Sequence, residues 1–164
     1  MSSGQPTGTV VIGLGNPLMG DDGLGLAALA LLRNHWIFDP PVVLVDGGTW
    51  GLNLLPTIED AGRVLLLDAI NVGAAPGAPV LLQRADLPRV LATKLSPHQI
   101  DLREVLALAE WRGTLPETIL AMGLQPASVE MRTTLSAPLA AGLPGMVDRA
   151  LAQLATWGHQ ARPA

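Results

Sequence analysis

The sequence contains no cysteine, and it has only three histidines and one lysine among its 164 residues. The absence of cysteine excludes a disulfide framework, a thiolate zinc site, an iron–sulfur ligand set and a cysteine nucleophile. Any chemistry must therefore come from carboxylates, the three histidines, hydroxyl groups or the backbone.

Charged residues are also scarce: they make up 15% of the chain, with 10 basic and 14 acidic side chains and a formal net charge of -4. The arginines are spread along the chain, which argues against a nucleic-acid groove. The longest apolar stretch, Gly23 to Leu32, has about half of the roughly 20 residues that a membrane-spanning helix needs. Met1 to Gly8 lacks the pattern of a secretory signal. We expect a soluble, cytoplasmic monomer with no nucleic-acid or membrane partner.

Hydrophobic residues make up 49% of the chain, too many for a disordered protein. The length predicts one domain spanning residues 1–164, with its core over about 9–157. Hydrophobic runs bounded by turn residues predict five strands, at residues 9–12, 42–45, 64–67, 80–82 and 118–122. Helices are predicted from residue 21 to 36, 52 to 60, 87 to 93, from 96–97 onward, and from about 139 to 157.

The first three predicted strands are almost continuously hydrophobic and alternate with helices. Strands covered on both faces have this composition, so the pattern predicts a three-layer α/β/α sandwich with a five-stranded, mostly parallel sheet. The connection from residue 67 to residue 80 is too short for a helical crossover. The strand at 80–82 is therefore predicted to run antiparallel.

Carboxylates follow three of the predicted strands. Asp21 and Asp22 lie just beyond the first strand and its glycine turn, Asp46 ends the second, and Asp68 ends the third. Parallel strands bring their carboxyl ends to one edge, where open α/β sheets bind ligands. Such an acidic cluster indicates a cation site or a carboxylate-driven hydrolytic site. The alternative is that each Asp caps a local turn.

His98 opens a predicted helix, with Ser96 as its N-cap and Pro97 at its first position. A helix N-terminus disfavours a protonated imidazole, so His98 is expected to be neutral and able to bind a metal or act as a base. An exposed, inert histidine is equally compatible with the sequence. His35 and His159 are expected to be structural or solvated.

Two other enzyme classes fit the sequence less well. Gly13 and Gly15 begin a dinucleotide-binding fingerprint, but the third glycine position is occupied by Leu18. The only lysine, Lys94, lies outside any phosphate-binding loop. None of the serines lies in a Gly-x-Ser-x-Gly elbow. A nucleotide-binding α/β enzyme remains a minor alternative.

Several motifs together resemble a known family. Residues 11–25 read VIGLGNPLMGDDGLG, and DGGT, LDAI and KLSPHQ follow at 46–49, 67–70 and 94–99. MGLQP at 122–126 and Glu130 complete the series. In this order the motifs resemble those of the hydrogenase maturation endopeptidases, over about residues 9–157. Members of that family trim a C-terminal extension from the large subunit of nickel–iron hydrogenases.

The resemblance implies a five-stranded mixed sheet between helix layers, a phosphorylase/hydrolase-like arrangement. It implies that Asp22, Asp68 and His98 form the metal-binding and catalytic site, with Asp in place of the Glu that some members carry at the first position. It also implies substrate-binding roles, which we assign to Asn16, Asp46, Gly47 and Gly48. The metal would be nickel carried by the substrate, with no organic cofactor.

Two mechanisms are compatible with that site. In one, the metal polarises the scissile carbonyl or activates water. In the other, the metal serves for docking, and Asp22 or Asp68 acts as the base on water in the manner of an aspartyl protease. A different class of function is also open: a metal-dependent checkpoint or chaperone that binds the same precursor without cutting it. Trp50, Leu52 and Leu55 are candidates for a docking surface.

Overall fold

A computed structural model describes residues 8–48, 52–87 and 97–164, apart from the side chains of Leu52, residues 97–101 and Arg103. The strands are β1 (Thr9–Leu14), β2 (Trp36–Asp39), β3 (Val43–Gly48), β4 (Arg63–Ala69), β5 (Pro79–Leu82), β6 (Thr118–Leu124) and β7 (Gln160–Pro163). The α-helices are α1 (Leu24–His35), α2 (Leu55–Glu59), α3 (Pro97–Trp111) and α4 (Ala137–Thr156). Short 3-10 turns lie at Gly20–Gly23, Leu52–Leu54 and Arg84–Asp86.

The main sheet has five strands in the order β3-β1-β4-β6-β5. β1, β3, β4 and β6 are parallel, and β5 pairs antiparallel with β6. The predicted five-stranded sheet with one antiparallel strand is confirmed. The physical reason is the short link after β4, which lets the chain turn back but not cross over.

Two hydrophobic clusters, one on each face of the sheet, make the three layers. One joins α1 and α4 to side chains such as Val11, Leu65 and Leu67, all fully buried. The other joins α2 and α3 to the alternate positions, among them Ile12 and Leu66. Since both faces of β1 and β4 are covered, their unbroken hydrophobic sequences are explained.

A second, two-stranded sheet pairs β2 with β7 in antiparallel register, and the sequence did not predict it. Trp36, expected to end a helix, instead begins β2 after α1 ends at His35. The buried His159 ring anchors the tail beside this sheet, with Nδ1 2.8 Å from the Pro40 carbonyl and Nε2 2.7 Å from the Thr9 hydroxyl. Most of the predicted helix at 87–93, and the Ser96 cap, lie outside the described residues.

Candidate active site

Asp22 lies in the 3-10 turn that connects β1 to α1, and only 2% of it is exposed. Its Oδ2 accepts a hydrogen bond of 3.0 Å from the Asn16 backbone N–H. The turn folds back onto the end of β1: an ideal Cβ on Gly15 would lie 1.7 Å from the Asp22 carbonyl oxygen. Only glycine fits at this position, where φ is +119° as well. The glycine turn thus holds Asp22 against the carboxyl end of β1.

Asp68 is the penultimate residue of β4, at the centre of the sheet, and it is also 2% exposed. Its Oδ1 accepts a hydrogen bond of 2.9 Å from the Ala69 backbone N–H. On the neighbouring strand it pairs with Gly123, where an ideal Cβ would lie 1.8 Å from the Asp68 carbonyl oxygen. Glycine at 123 therefore leaves room for the backbone that carries Asp68.

Gly25 brings the segments of Asp22 and Asp68 together. An ideal Cβ on Gly25 would lie 2.1 Å from the carbonyl oxygen of Leu67 and 2.4 Å from that of Leu14. The first turn of α1 is therefore seated directly on the ends of β1 and β4. Asp22 precedes Gly25 by three residues and Asp68 follows Leu67, so both buried carboxylates lie at the same edge of the sheet.

Asp46 lies at this edge but differs from Asp68 in exposure and direction. In the register of the sheet, Gly13 on β1 is level with both Asp46 on β3 and Leu67 on β4. Because successive side chains of a strand alternate between faces, Asp46 lies on the face of Leu67, opposite to that of Asp68. It is also exposed. This arrangement does not bring Asp46 together with the buried pair.

Three residues predicted to bind substrate also have local roles. The Asn16 Oδ1 accepts a hydrogen bond of 2.9 Å from the Leu18 N–H, which closes the turn before Asp22. Gly47 is buried where a Cβ would lie 2.7 Å from Ile12. The Gly48 carbonyl accepts a bond of 3.0 Å from the Gly15 N–H, and its φ of +46° favours glycine. These contacts hold β3 and the turn in place beside Asp22.

His98 is the second residue of α3, and its side chain lies outside the described part of the structure. The topology nevertheless fixes the end of the sheet at which it lies. α3 ends at Trp111, and only a short connection leads to the start of β6. The helix is about 22 Å long at 1.5 Å per residue and runs back along the sheet, so its first turn lies toward the carboxyl edge. It covers the face toward which Asp68 points.

Of the other histidines, His35 is exposed and His159 is the structural anchor described above.

Asp21 has a role that the sequence did not reveal. Its carboxylate, 1% exposed, accepts four hydrogen bonds from the segment between β6 and α4. The donors are the N–H groups of Ala127, Ser128 and Ser136, and the Ser136 hydroxyl, at 2.7–3.1 Å. Desolvation raises the pKa of Asp21, but the bonds from Ser136, Ala127 and Ser128 outweigh it and hold the pKa below its ordinary 3.8. Asp21 thus has a structural role, which holds a distant loop, whereas Asp22 accepts a hydrogen bond from the turn that precedes it.

Gln125 organises the other side of the edge. Its Oε1 accepts hydrogen bonds from the N–H groups of Val72 (2.8 Å) and Ala74 (3.1 Å), and its Nε2 donates to Asn71 Oδ1 at 3.0 Å. The segment that follows Asp68 is thereby tied to the end of β6. Apart from its place in the MGLQP motif, nothing in the sequence predicts that Gln125 has this role.

The donor set at this edge suits a divalent metal only in part. Among the described side chains, no three from histidine, aspartate and glutamate are gathered closely enough to hold a metal ion. Two carboxylates, Asp22 and Asp68, are present. Any further ligands would have to come from undescribed side chains such as His98 or from a bound substrate, and oxygen and imidazole nitrogen together suit nickel.

The fold and the edge carboxylates define an α/β enzyme with acid groups at the ends of its parallel strands. Residues 28–153 match the HycI hydrogenase maturation protease family. The hydrogenase expression/formation protein HoxM of Cupriavidus necator is 35% identical over 94% of this chain and 77% of its own length. The hydrogenase 2 maturation protease of Escherichia coli is 30% identical, over 94% of both chains. The hydrogenase maturating endopeptidase HybD of E. coli superposes with a TM-score of 0.90, at 30% identity and over 95% of this chain and 97% of that one.

The chain belongs to the hydrogenase maturation protease family, and it is a hydrolase of the endopeptidase type. None of the helices within the described ranges has the length and hydropathy needed to cross a bilayer.

Proposed function

We propose that this endopeptidase removes the C-terminal extension of the large-subunit precursor of a nickel–iron hydrogenase, after nickel has been loaded into that precursor. The observation that carries the proposal is the seating of α1 on the ends of β1 and β4, which brings the buried acids Asp22 and Asp68 to one edge. Family membership supplies the substrate class.

In this proposal Asp22, Asp68 and His98 engage the nickel that the precursor carries, and the scissile peptide is positioned by that contact. Asp46, Gly47, Gly48 and Asn16 line the approach of the substrate. The reaction takes place in the cytoplasm and is carried out by a monomer.

The hydrolytic step requires a base, and one carboxylate of the pair fills that role. The base accepts a proton from water as the water oxygen bonds to the scissile carbonyl carbon. The C–N bond then breaks, and the departing amine takes up a proton. Because this chain has no cysteine, it offers no thiolate that would compete with the thiolates of the precursor for the metal.

The test is cleavage of a nickel-loaded precursor by purified protein, followed by the size shift and mass of the product. Asp68→Asn, Asp22→Asn and His98→Ala are each expected to slow cleavage by about a hundredfold or more. The matched controls are Asp148→Asn and His35→Ala, which change an exposed carboxylate and an exposed histidine away from this edge. Circular dichroism establishes that each variant is folded.

Three results would contradict the proposal. Unchanged cleavage by both Asp68→Asn and His98→Ala would refute the site assignment. A stable complex of wild-type protein with nickel-loaded precursor, without any loss of mass, would instead support the checkpoint function. A precursor without nickel should not be cut, and its cleavage at the wild-type rate would refute the recognition of nickel.

A further inference from the structure

Three exposed hydrophobic residues lie on the loops beside the candidate active site. Leu18, Val129 and Met131 have exposed fractions of 59%, 49% and 84%; together we call them the rim patch. Single exposed hydrophobic residues are common on proteins and need no explanation. These three differ because a defined network of hydrogen bonds holds their two loops together.

Backbone pairing places Leu18 beside Met131. The Arg132 N–H donates to the Leu18 carbonyl at 3.0 Å, and the Gly20 N–H donates to the Arg132 carbonyl at 2.8 Å. Met19 and Arg132 form an isolated parallel bridge. Since the Arg132 N–H belongs to the peptide unit that follows Met131, these contacts bring the backbone of Met131 next to that of Leu18.

The Asp21 carboxylate also holds the loop that carries Val129 and Met131, through its four hydrogen bonds. A Cβ on Gly20 would lie 3.0 Å from the Glu130 carbonyl oxygen, so the two backbones are in close contact. The rim patch is thus presented on a fixed support.

The rim patch is continuous with the candidate active site. The Asn16 side chain accepts a hydrogen bond from the Leu18 N–H, while the Asn16 backbone N–H donates to the Asp22 carboxylate. One residue therefore couples the position of Leu18 to that of Asp22. The rim patch therefore adjoins one side of the edge at which the two acids lie.

We infer that the rim patch is the docking surface for a hydrophobic segment of the large-subunit precursor, next to the bond that is cut. This inference rests on the proposed function. The flanking exposed side chains, Glu130 and Arg132, are of opposite charge and sum to zero, so the surface selects a hydrophobic segment rather than a charged one. It differs from the docking surface expected at residues 50–55, where Leu55 packs against the core and Trp50 lies outside the described residues.

The experiment measures KM and kcat for cleavage of the nickel-loaded precursor by Leu18→Glu and Met131→Glu. A buried charge opposite a hydrophobic segment is expected to raise KM about tenfold, with kcat within about twofold of wild type, because docking is lost equally from ground and transition states. Met131→Leu, which keeps a hydrophobic side chain at this position, should have the wild-type KM. The control is Trp111→Glu, which places the same charge at an equally exposed position (84%) at the far end of α3.

The precursor's dissociation constant, measured by calorimetry for the same variants, separates this inference from the proposed function. If wild-type protein does not cut the precursor, the proposed function fails. The docking inference fails if Leu18→Glu and Met131→Glu bind and cut the precursor as wild type does. It also fails if wild-type protein is a dimer that these two substitutions dissociate, because the patch would then bind a second copy of this chain.

Discussion

Replacing Asp21 by asparagine tests the support on which the loop between β6 and α4 rests. The substitution keeps the shape of the side chain but replaces one carboxylate oxygen by an NH₂ group, which cannot accept a hydrogen bond. All four observed contacts come from donors, three to Oδ2 and one to Oδ1. In either orientation of the amide, at least one donor of the loop is left facing another donor.

The magnitude follows from those contacts. A hydrogen bond to a charged group contributes about 1.5–3 kcal/mol, and a buried donor without a partner costs about 1–3 kcal/mol. We therefore expect Asp21→Asn to lower the free energy of unfolding by about 2–4 kcal/mol. Asp21→Ala removes all four bonds and should exceed that loss. With a typical m-value of about 2 kcal/mol/M, the urea midpoint should fall by about 1–2 M for the asparagine variant.

The effect should also depend on pH. Hydrogen bonds keep the pKa of Asp21 in the folded protein below its ordinary 3.8. The stabilisation by the carboxylate is therefore fully present above an unfolded-state pKa of about 3.9 and is lost as the pH falls through the lower folded-state pKa. The difference in stability between wild type and Asp21→Asn should be constant from neutral pH down to about 5 and shrink below about 4.

The assay is urea unfolding followed by circular dichroism, with Asp148→Asn as the control for removing one negative charge from an exposed site. Hydrogen exchange at Ala127, Ser128 and Ser136 reports the loop directly, and these amides should lose protection first. If Asp21→Asn unfolds within about 0.5 kcal/mol of the control, the reasoning is refuted, because surface substitutions have effects of that size.

Two further predictions concern close backbone contacts and the buried histidine. Gly25→Ala should lower the free energy of unfolding by about 1–3 kcal/mol, because the new methyl group would overlap the Leu67 carbonyl. The control is Gly145→Ala, whose Cβ meets only the Arg149 side chain at 3.4 Å and which should be neutral or stabilising by up to about 1 kcal/mol. Thermal unfolding measures both variants. Equal shifts for both variants would contradict the seating of α1. Thr9→Val should lower the free energy of unfolding by about 1 kcal/mol, because it removes the hydroxyl that donates to His159 Nε2. The ring proton is expected on Nδ1, which faces the Pro40 carbonyl, and nitrogen NMR of the ring can locate it. A proton on Nε2 would refute the assignment of Thr9 as the donor.

The fold was largely predictable because its central strands carry their own signature. Residues 64–67 and 119–122 are hydrophobic at every position, and short segments of this kind, bounded by turn residues, fit strands covered on both faces. Gly25 and Gly123, by contrast, could not be identified as packing glycines from sequence. Their importance comes from carbonyl groups of other segments, which are distant in the chain.

The β2–β7 sheet was missed because short segments pair only through the tertiary structure. Trp36–Asp39 follows α1 without a break, and the 3.6-residue hydrophobic periodicity of a helix does not indicate where the helix ends and a strand begins. Its partner, Gln160–Pro163, is polar and lies at the other end of the chain. The His159 contacts that hold the tail in place are equally non-local.

The two acids of the first motif illustrate how far sequence can go in locating a site. Asp21 and Asp22 are adjacent, chemically identical and in one 3-10 turn, and both are buried. They separate only in three dimensions, where Asp21 accepts four hydrogen bonds from a segment more than a hundred residues away. A carboxylate whose pKa is lowered by such bonds is a weak proton acceptor, and its lone pairs are directed at the loop. Asp21 is therefore unsuited to act as a base or as a metal ligand, which leaves Asp22 as the acid of this turn for the proposed chemistry.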